Sequence, residues 1–222
     1  MIENLGWLLL WSVLVGLDLA SVVQMMIARP LVASTVTGFI LGDPAAGATV
    51  GVVLELFALE VLPVGASRYP DYGLGAIPAA AVAAGAPGVF GSGFGVAVGL
   101  VMAYLGGKAI HLVRVENAMD VRRHRDALDS GDVRAVNGLQ LRCLGRDIFR
   151  SLAVASLGLL FAALVVRWVP LTVQSVVYLS VATVGAALAA AISGIGRLAG
   201  RKTALPWFAL GLAGGLAGVL LV

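Results

Sequence analysis

Five carboxylates, Asp18, Asp43, Glu55, Glu60 and Asp71, fall in a mostly apolar stretch that holds only two bases, Arg29 and Arg68. An ionised side chain inside a bilayer is costly and usually faces a partner or a water-filled path. These acids outnumber their local bases, so they cannot all be paired within the stretch. The surplus marks a binding site. Glu55 sits in Val-Leu-Glu-Leu-Phe-Ala-Leu with apolar neighbours on both sides, and Asp71 follows Pro70 in a loop of turn formers. A neutral polyol needs acceptors for its hydroxyl donors, amides or bases for its oxygens, and an aromatic face for its C–H surface. Glu55, Asp71, Gln24, Arg68, Tyr69 and Phe57 supply that mixture. Glu55 has a second reading, in which it pairs with Arg29 or caps broken-helix backbone. Asp43 lies in a Gly-Asp-Pro turn, where an Asp usually bonds its own backbone. Asp18 and Glu60 read as residues near an interface.

Other chemistries find less support in the spacing of residues. Gly91-Ser-Gly93-Phe-Gly95 has part of a dinucleotide fingerprint, but it lies in an apolar run without the strand that must precede such a turn. Gly107-Lys108-Ala109 lacks both the upstream Gly and the following Ser or Thr of a phosphate-binding loop. His111 and His124 have no ligand cluster around them in sequence and read as solvated helix residues. Cys143 is the only cysteine, which excludes an intrachain disulfide and a cysteine-based metal cluster. No catalytic residue, metal site or cofactor is expected.

Composition says what kind of element must hold these groups. The 222 residues are 60% hydrophobic and 12% charged, with a mean hydropathy of +1.00. A soluble domain carries about a quarter charged residues, so a water-soluble enzyme, a disordered segment and a secreted disulfide scaffold are excluded. The 29 glycines sit inside apolar runs, as in packed membrane helices. The run 5–28 is long enough to cross at about 20 residues per span, although Asp18 and Gln24 interrupt its second half. The runs 31–41 and 45–62 meet at Gly42-Asp43-Pro44 and predict a re-entrant hairpin or broken helices. Such backbone survives at membrane depth when buried in protein or lining a cavity. After a polar loop at 63–73, the run 74–86 is expected to break at Pro78 and Pro87, and the run 89–105 to end at Gly106-Gly107. Further spans are predicted at 148–166, 171–192 and 204–222. Pairs such as Gly38/Gly42, Gly47/Gly51 and Gly95/Gly99 have the spacing that lets helices approach closely.

Charge fixes the orientation of these elements. Nine of the 15 bases fall between Lys108 and Arg150, and no acid follows Asp147. By the positive-inside rule this segment stays cytoplasmic, with the smaller cluster Arg197, Arg201 and Lys202 on the same side. It reads as two helices around an Asp129-Ser130-Gly131-Asp132 turn, with Ser130 or Asp132 as N-cap and Val136, Leu139, Cys143 and Leu144 on one apolar face. Arg167-Trp168-Val169-Pro170 is then an outside turn. Nucleic-acid binding is excluded, since the basic clusters abut apolar spans and lack interleaved aromatics. The expected fold is an all-α integral membrane protein, a multi-span helical bundle with a re-entrant or broken-helix hairpin and a cytoplasmic helical hairpin. Its expected parts are an N-terminal membrane region at 1–107, the basic hairpin at 108–150 and C-terminal membrane spans at 151–222.

Five motifs occur in order: Arg29-Pro-Leu-Val-Ala, Leu41-Gly-Asp-Pro-Ala-Ala-Gly47, Gly51-Val-Val-Leu-Glu-Leu-Phe-Ala-Leu59, Pro63-Val-Gly-Ala66 and Pro70-Asp71. In order and spacing they resemble the IIC component of the mannose/fructose/sorbose-type sugar phosphotransferase systems. The Asp-Ser-Gly-Asp-Val-Arg-Ala-Val stretch at 129–136 is similar to that family's soluble helix turn. The resemblance implies a multi-pass permease subunit of the bacterial inner membrane that works beside a IID membrane subunit in a higher oligomer. It implies a sugar substrate that crosses by alternating access and is phosphorylated by the cytoplasmic IIB carrier, itself charged by IIA. The chain itself would not be an enzyme. Glu55 falls in the family's Gly-x-x-Leu-Glu element and Asp71 in its Pro-Asp element. With Gln24 they are the expected sugar-binding residues, supported by Arg29, Asp43, Arg68 and Tyr69. The basic hairpin would dock the carrier. Two other readings of the chain are a non-transporting membrane scaffold or sensor of carrier phosphorylation, and an ion-coupled transporter of another small polar solute.

Overall fold

The computed structural model describes residues 3–22, 24–61, 67–86, 91–169, 173–199 and 206, and among them every regular element is a helix. Eight α-helices follow in order: α1 Leu5–Ala20, α2 Pro30–Leu41, α3 Pro44–Ala58, α4 Tyr72–Gly85, α5 Ser92–Arg123, α6 Arg125–Asp129, α7 Val133–Trp168 and α8 Val173–Ala199. The calls on 63–66, on Arg201 and Lys202 and on a last span at 204–222 lie outside the described residues, as does the Arg197 side chain. Among the described residues, three helices are long and apolar enough to cross a membrane: Ser92–Arg123, Val133–Trp168 and Ser175–Gly194. The first four run 16, 12, 15 and 14 residues. At 1.5 Å per residue each is about 18–24 Å long, short of a hydrocarbon core of about 30 Å.

Helix α4 is the centre of the bundle. It packs against α1, α2, α3, α5 and α7, and Leu74, Ala76, Ile77, Ala79, Ala80 and Val82 are fully buried. Its sequence is nearly all Gly, Ala and Pro with a few aliphatics, and small side chains let neighbouring backbones close in. Where α4 meets α5, a Cβ on Gly75 would come within 2.9 Å of the Ala103 Cβ, and one on Gly99 within 2.9 Å of the Ala79 Cβ. The α2–α3 hairpin closes in the same way, since a Cβ on Gly38 or Gly47 would stand 3.0 Å from the other's Cα.

Three expectations change. Helix α1 stops at Ala20 and does not run on through 28, for a reason given below. Helix α4 passes through Pro78 unbroken; the ring is buried and lies where the absence of a side chain at Gly158 on α7 makes room for it, 2.9 Å from the position a Cβ there would take. Helix α5 likewise continues through Gly106-Gly107, so the basic segment is built from the extended ends of α5 and α7 with the short α6 between them. Asp132 caps α7, accepting a hydrogen bond from the Arg134 N–H at 2.9 Å. Arg146 ties the two arms together, donating to Asn117 Oδ1 at 2.9 Å and to Asp120 Oδ2 at 2.6 Å.

Candidate functional site

The break after α1 is made by Asp18. Its carboxylate accepts the Met25 N–H at 2.5 Å and the Ala28 N–H at 2.9 Å, so the chain is turned back on itself and not continued as helix. The turn holds Gln24 at φ 50° and Met26 at φ 66°, left-handed backbone that non-glycine residues adopt rarely and at a cost of about 1–3 kcal/mol. Asp18 is 4% exposed, a buried brace for this turn. The chain straightens at Arg29, and Pro30 opens α2 at a position where its missing N–H costs nothing.

Against this broken segment lies a cavity of about 400 Å³, lined among others by Gln24, Met26, Arg29, Tyr69 and Tyr72. Arg29 forms an ion pair with Glu55 of α3. The second Glu55 oxygen accepts the Leu31 N–H at 3.2 Å, one of the unpaired donors of the first turn of α2. Glu55 therefore both pairs with Arg29 and caps broken-helix backbone, and it reaches the cavity through the guanidinium. A second cavity of about 280 Å³ is lined by Ser21, Gln24, Tyr69, Arg114, Asn117 and Asp147 among others. Gln24 and Tyr69 line both. Arg114 of α5 holds Tyr69 in place, donating to its hydroxyl at 2.5 Å and lying 5.0 Å from its ring centroid. The Gln24 amide, the Arg29 guanidinium, the Asp18 carboxylate and the Tyr69 phenol ring thus line one cavity, with Glu55 behind Arg29.

Asp71 is elsewhere. It caps α4 by accepting the Leu74 N–H at 3.0 Å, its own N–H donates to the Ala103 carbonyl at 2.8 Å, and its other oxygen meets Arg150 Nη1 at 2.6 Å. Arg150 also pairs with Asp147 through Nε at 2.7 Å and donates to the Gly16 carbonyl at 3.1 Å. The Ser21 hydroxyl donates to Asp147 at 2.5 Å. Asp71, Asp147 and Arg150 are each at most 3% exposed. Pro70 and Tyr72 line the larger cavity while Asp71 between them points into the bundle, locking α4 to α1, α5 and α7. Asp43 caps α3, accepting the Ala46 N–H at 2.9 Å, at the α2–α3 turn and outside the cavity lining. Arg68 lines a different cavity, with Lys108. Sequence reasoning missed Asp147 and Arg150; their signal was an i,i+3 ion pair at the start of an apolar run.

An all-helical bundle with membrane-length helices, a small-residue core and a buried ion network is an integral membrane protein. The family model for the phosphotransferase system sorbose-specific IIC component matches residues 4–215, and the chain belongs to that family. It is 40% identical over 65 residues to the sorbose-specific EIIC component of Lacticaseibacillus casei, covering 29% of this chain and 23% of that one. It is 31% identical over 127 residues to the fructose permease IIC component of Bacillus subtilis, covering 57% and 45%. Against the mannose-specific EIIC component of Escherichia coli K12 it is 31% identical over 117 residues, covering 52% and 43%. The matched stretches thus span less than half the length of each of these relatives. The fold is similar to a solved structure titled as a complex of the mannose transporter ManYZ with microcin E492, at TM-score 0.63 and 22% identity, covering 97% of this chain and 87% of that one. A further structure, described only as a membrane protein, is similar at TM-score 0.75 and 22% identity, covering 100% and 94%.

Proposed function

We propose that the chain is the sugar-translocating IIC subunit of a phosphoenolpyruvate-dependent phosphotransferase system of mannose/fructose/sorbose type, moving a hexose across a bacterial inner membrane by alternating access. The observation that carries this reading is the pair of cavities sharing Gln24 and Tyr69, built on strained backbone in a chain of this family. A hexose in the larger cavity meets the Gln24 amide, the Arg29 guanidinium backed by Glu55, and the Tyr69 ring. Asp71 acts from behind the wall, holding Pro70 and Tyr72 in place through the α4 cap and the Arg150 pair. The short α2–α3 pair is the re-entrant hairpin that delivers Arg29 and Glu55 to the sugar. Phosphoryl transfer occurs on the IIA and IIB partners, a IID subunit completes the membrane unit, and the basic 108–150 hairpin receives the carrier.

The test is reconstitution of the chain with a IID subunit, the IIB and IIA carriers and a phosphoryl donor. Uptake with accumulation of hexose phosphate is expected. Gln24→Ala should weaken sugar binding roughly tenfold and Glu55→Gln by ten- to a hundredfold, the range for neutral and ionic hydrogen bonds. Asp71→Asn, which keeps the α4 cap and gives up the ion pair with Arg150, should weaken binding less than either while the protein stays folded. Undiminished binding in all three variants sinks the site. Uptake that persists without carriers and collapses with an ion gradient sinks the function, as does carrier binding without uptake.

A further inference from the structure

A third cavity, of about 510 Å³, shares the Tyr69–Pro70 wall with the larger cavity above and is lined by Arg68, Tyr69, Pro70, Tyr104, Gly107, Lys108, His111 and Leu112. The α5 residues come from one face of that helix, at spacings of four, three and one, and the 67–70 segment lies across them. That crossing is held from three sides. Arg114 donates to the Ser67 carbonyl at 3.2 Å, Asp71 donates its N–H to Ala103, and the segment rests directly on Gly107, where a Cβ would stand 3.0 Å from Pro70 Cα. Arg68 is thereby carried on braced backbone opposite Lys108 and His111.

The lining is divided by chemistry. Arg68, Lys108 and His111 are basic, and no carboxylate is among the lining residues. Tyr104, Leu112 and Pro70 are apolar, and Tyr104 and Leu112 are 57% and 63% exposed. Lys108 Nζ sits 4.7 Å over the Tyr104 ring centroid. The level of the cavity along α5 is also defined. Residues 92–107 carry no charge, whereas Lys108, Arg114, Glu116, Asp120, Arg122 and Arg123 follow. Lys108 is therefore where the helix leaves the hydrocarbon, the depth at which tyrosine rings and lysine stems sit at headgroup level.

The geometry points to a binding site for the phosphate headgroup of an anionic membrane lipid, such as phosphatidylglycerol, whose glycerol and upper acyl chain lie along Tyr104, Pro70 and Leu112. Basic pockets beside membrane helices on the cytoplasmic side hold anionic lipid headgroups by this chemistry. A free phosphate or hexose phosphate satisfies only the basic half and leaves the exposed apolar half without a partner. A lipid fills both.

Native mass spectrometry on the full chain, purified from mixed micelles of phosphatidylglycerol and phosphatidylcholine, tests this. The wild type should retain phosphatidylglycerol in preference to phosphatidylcholine. R68Q/K108Q should retain about thirtyfold less, since each basic residue near an anionic surface contributes about fivefold, and Lys108→Gln alone about fivefold less. Lys108→Arg should keep the lipid. Equal retention of the two lipids, or unchanged retention in the variants, overturns the proposal. Displacement of the lipid by excess inorganic phosphate or a hexose phosphate also overturns it, and assigns the site to a free anion instead.

Discussion

Arg150 is held by two carboxylates and a backbone carbonyl, and removing it would strand Asp71 and Asp147, which are 1% and 2% exposed. Breaking a buried ion pair from one side costs about 3–5 kcal/mol because the other charge is left unpaired. Asp71→Asn is milder: the amide oxygen can still accept the Leu74 N–H, and Asp147 stays on the guanidinium. Thermal unfolding in detergent should therefore place Arg150→Met far below wild type and Asp71→Asn between the two. Equal losses would show that the network is not what holds α4 to α7. At this scale, legibility followed distance along the chain. Asp43 and Asp132 were readable as caps because their partners lie two or three residues on. The Glu55–Arg29 pair was readable as one of two alternatives because each residue was conspicuous in its own apolar run. Arg150 lies 79 residues from Asp71, and nothing local to either residue names the other. The bracing role of Asp18 was not legible for a related reason. Its partners are the Met25 and Ala28 N–H groups, and backbone donors in a loop leave no mark in residue type.

Between elements, the close crossings make opposite demands on glycines that look alike in sequence. A Cβ at Gly47 would collide with the Ser34 carbonyl oxygen, whereas one at Gly145 on the extended arm of α7 meets nothing within 4 Å. Gly47→Ala must push α2 and α3 apart, and overpacking of this kind costs about 1–3 kcal/mol. Gly145→Ala only gains helix propensity, about 0.5–1 kcal/mol. The two substitutions should move the melting temperature in opposite directions, and a shared sign would refute the α2–α3 packing. Helix positions were largely legible, since apolar runs bounded by Gly, Asp and Pro map onto α2, α3, α4 and α8. Their ends were not. Pro78 stays within α4 and packs its ring against the glycine facing it on α7, and α1 ends early because a side chain inside it captures the following backbone. Both outcomes depend on packing that a run of hydropathy does not contain.

The dimensions of the long helices decide how the whole molecule sits in a bilayer. Helix α7 has 36 residues, about 54 Å at 1.5 Å per residue, and α5 has 32 residues, about 48 Å. A hydrocarbon core of about 30 Å leaves roughly 20 Å of each outside, and the charge places that excess at the joined ends, where α5, α6 and α7 carry Arg122, Arg123, Arg125, Arg134, Arg142 and Arg146. The Arg150 network and Lys108 then lie near the level where the bundle meets headgroups, and the proposed orientation stands the arms in the cytoplasm. Cysteine labelling reads this orientation directly because Cys143 is the only native thiol. In a Cys143→Ser background, Ser130→Cys at the tip of the arms should react with a membrane-impermeant maleimide only in inside-out vesicles. Trp168→Cys, at a position 74% exposed at the far end of α7, should react only in right-side-out cells. The reverse pattern would put the arms outside. A cytoplasmic carrier could not then reach them, and the lipid site would face the wrong leaflet.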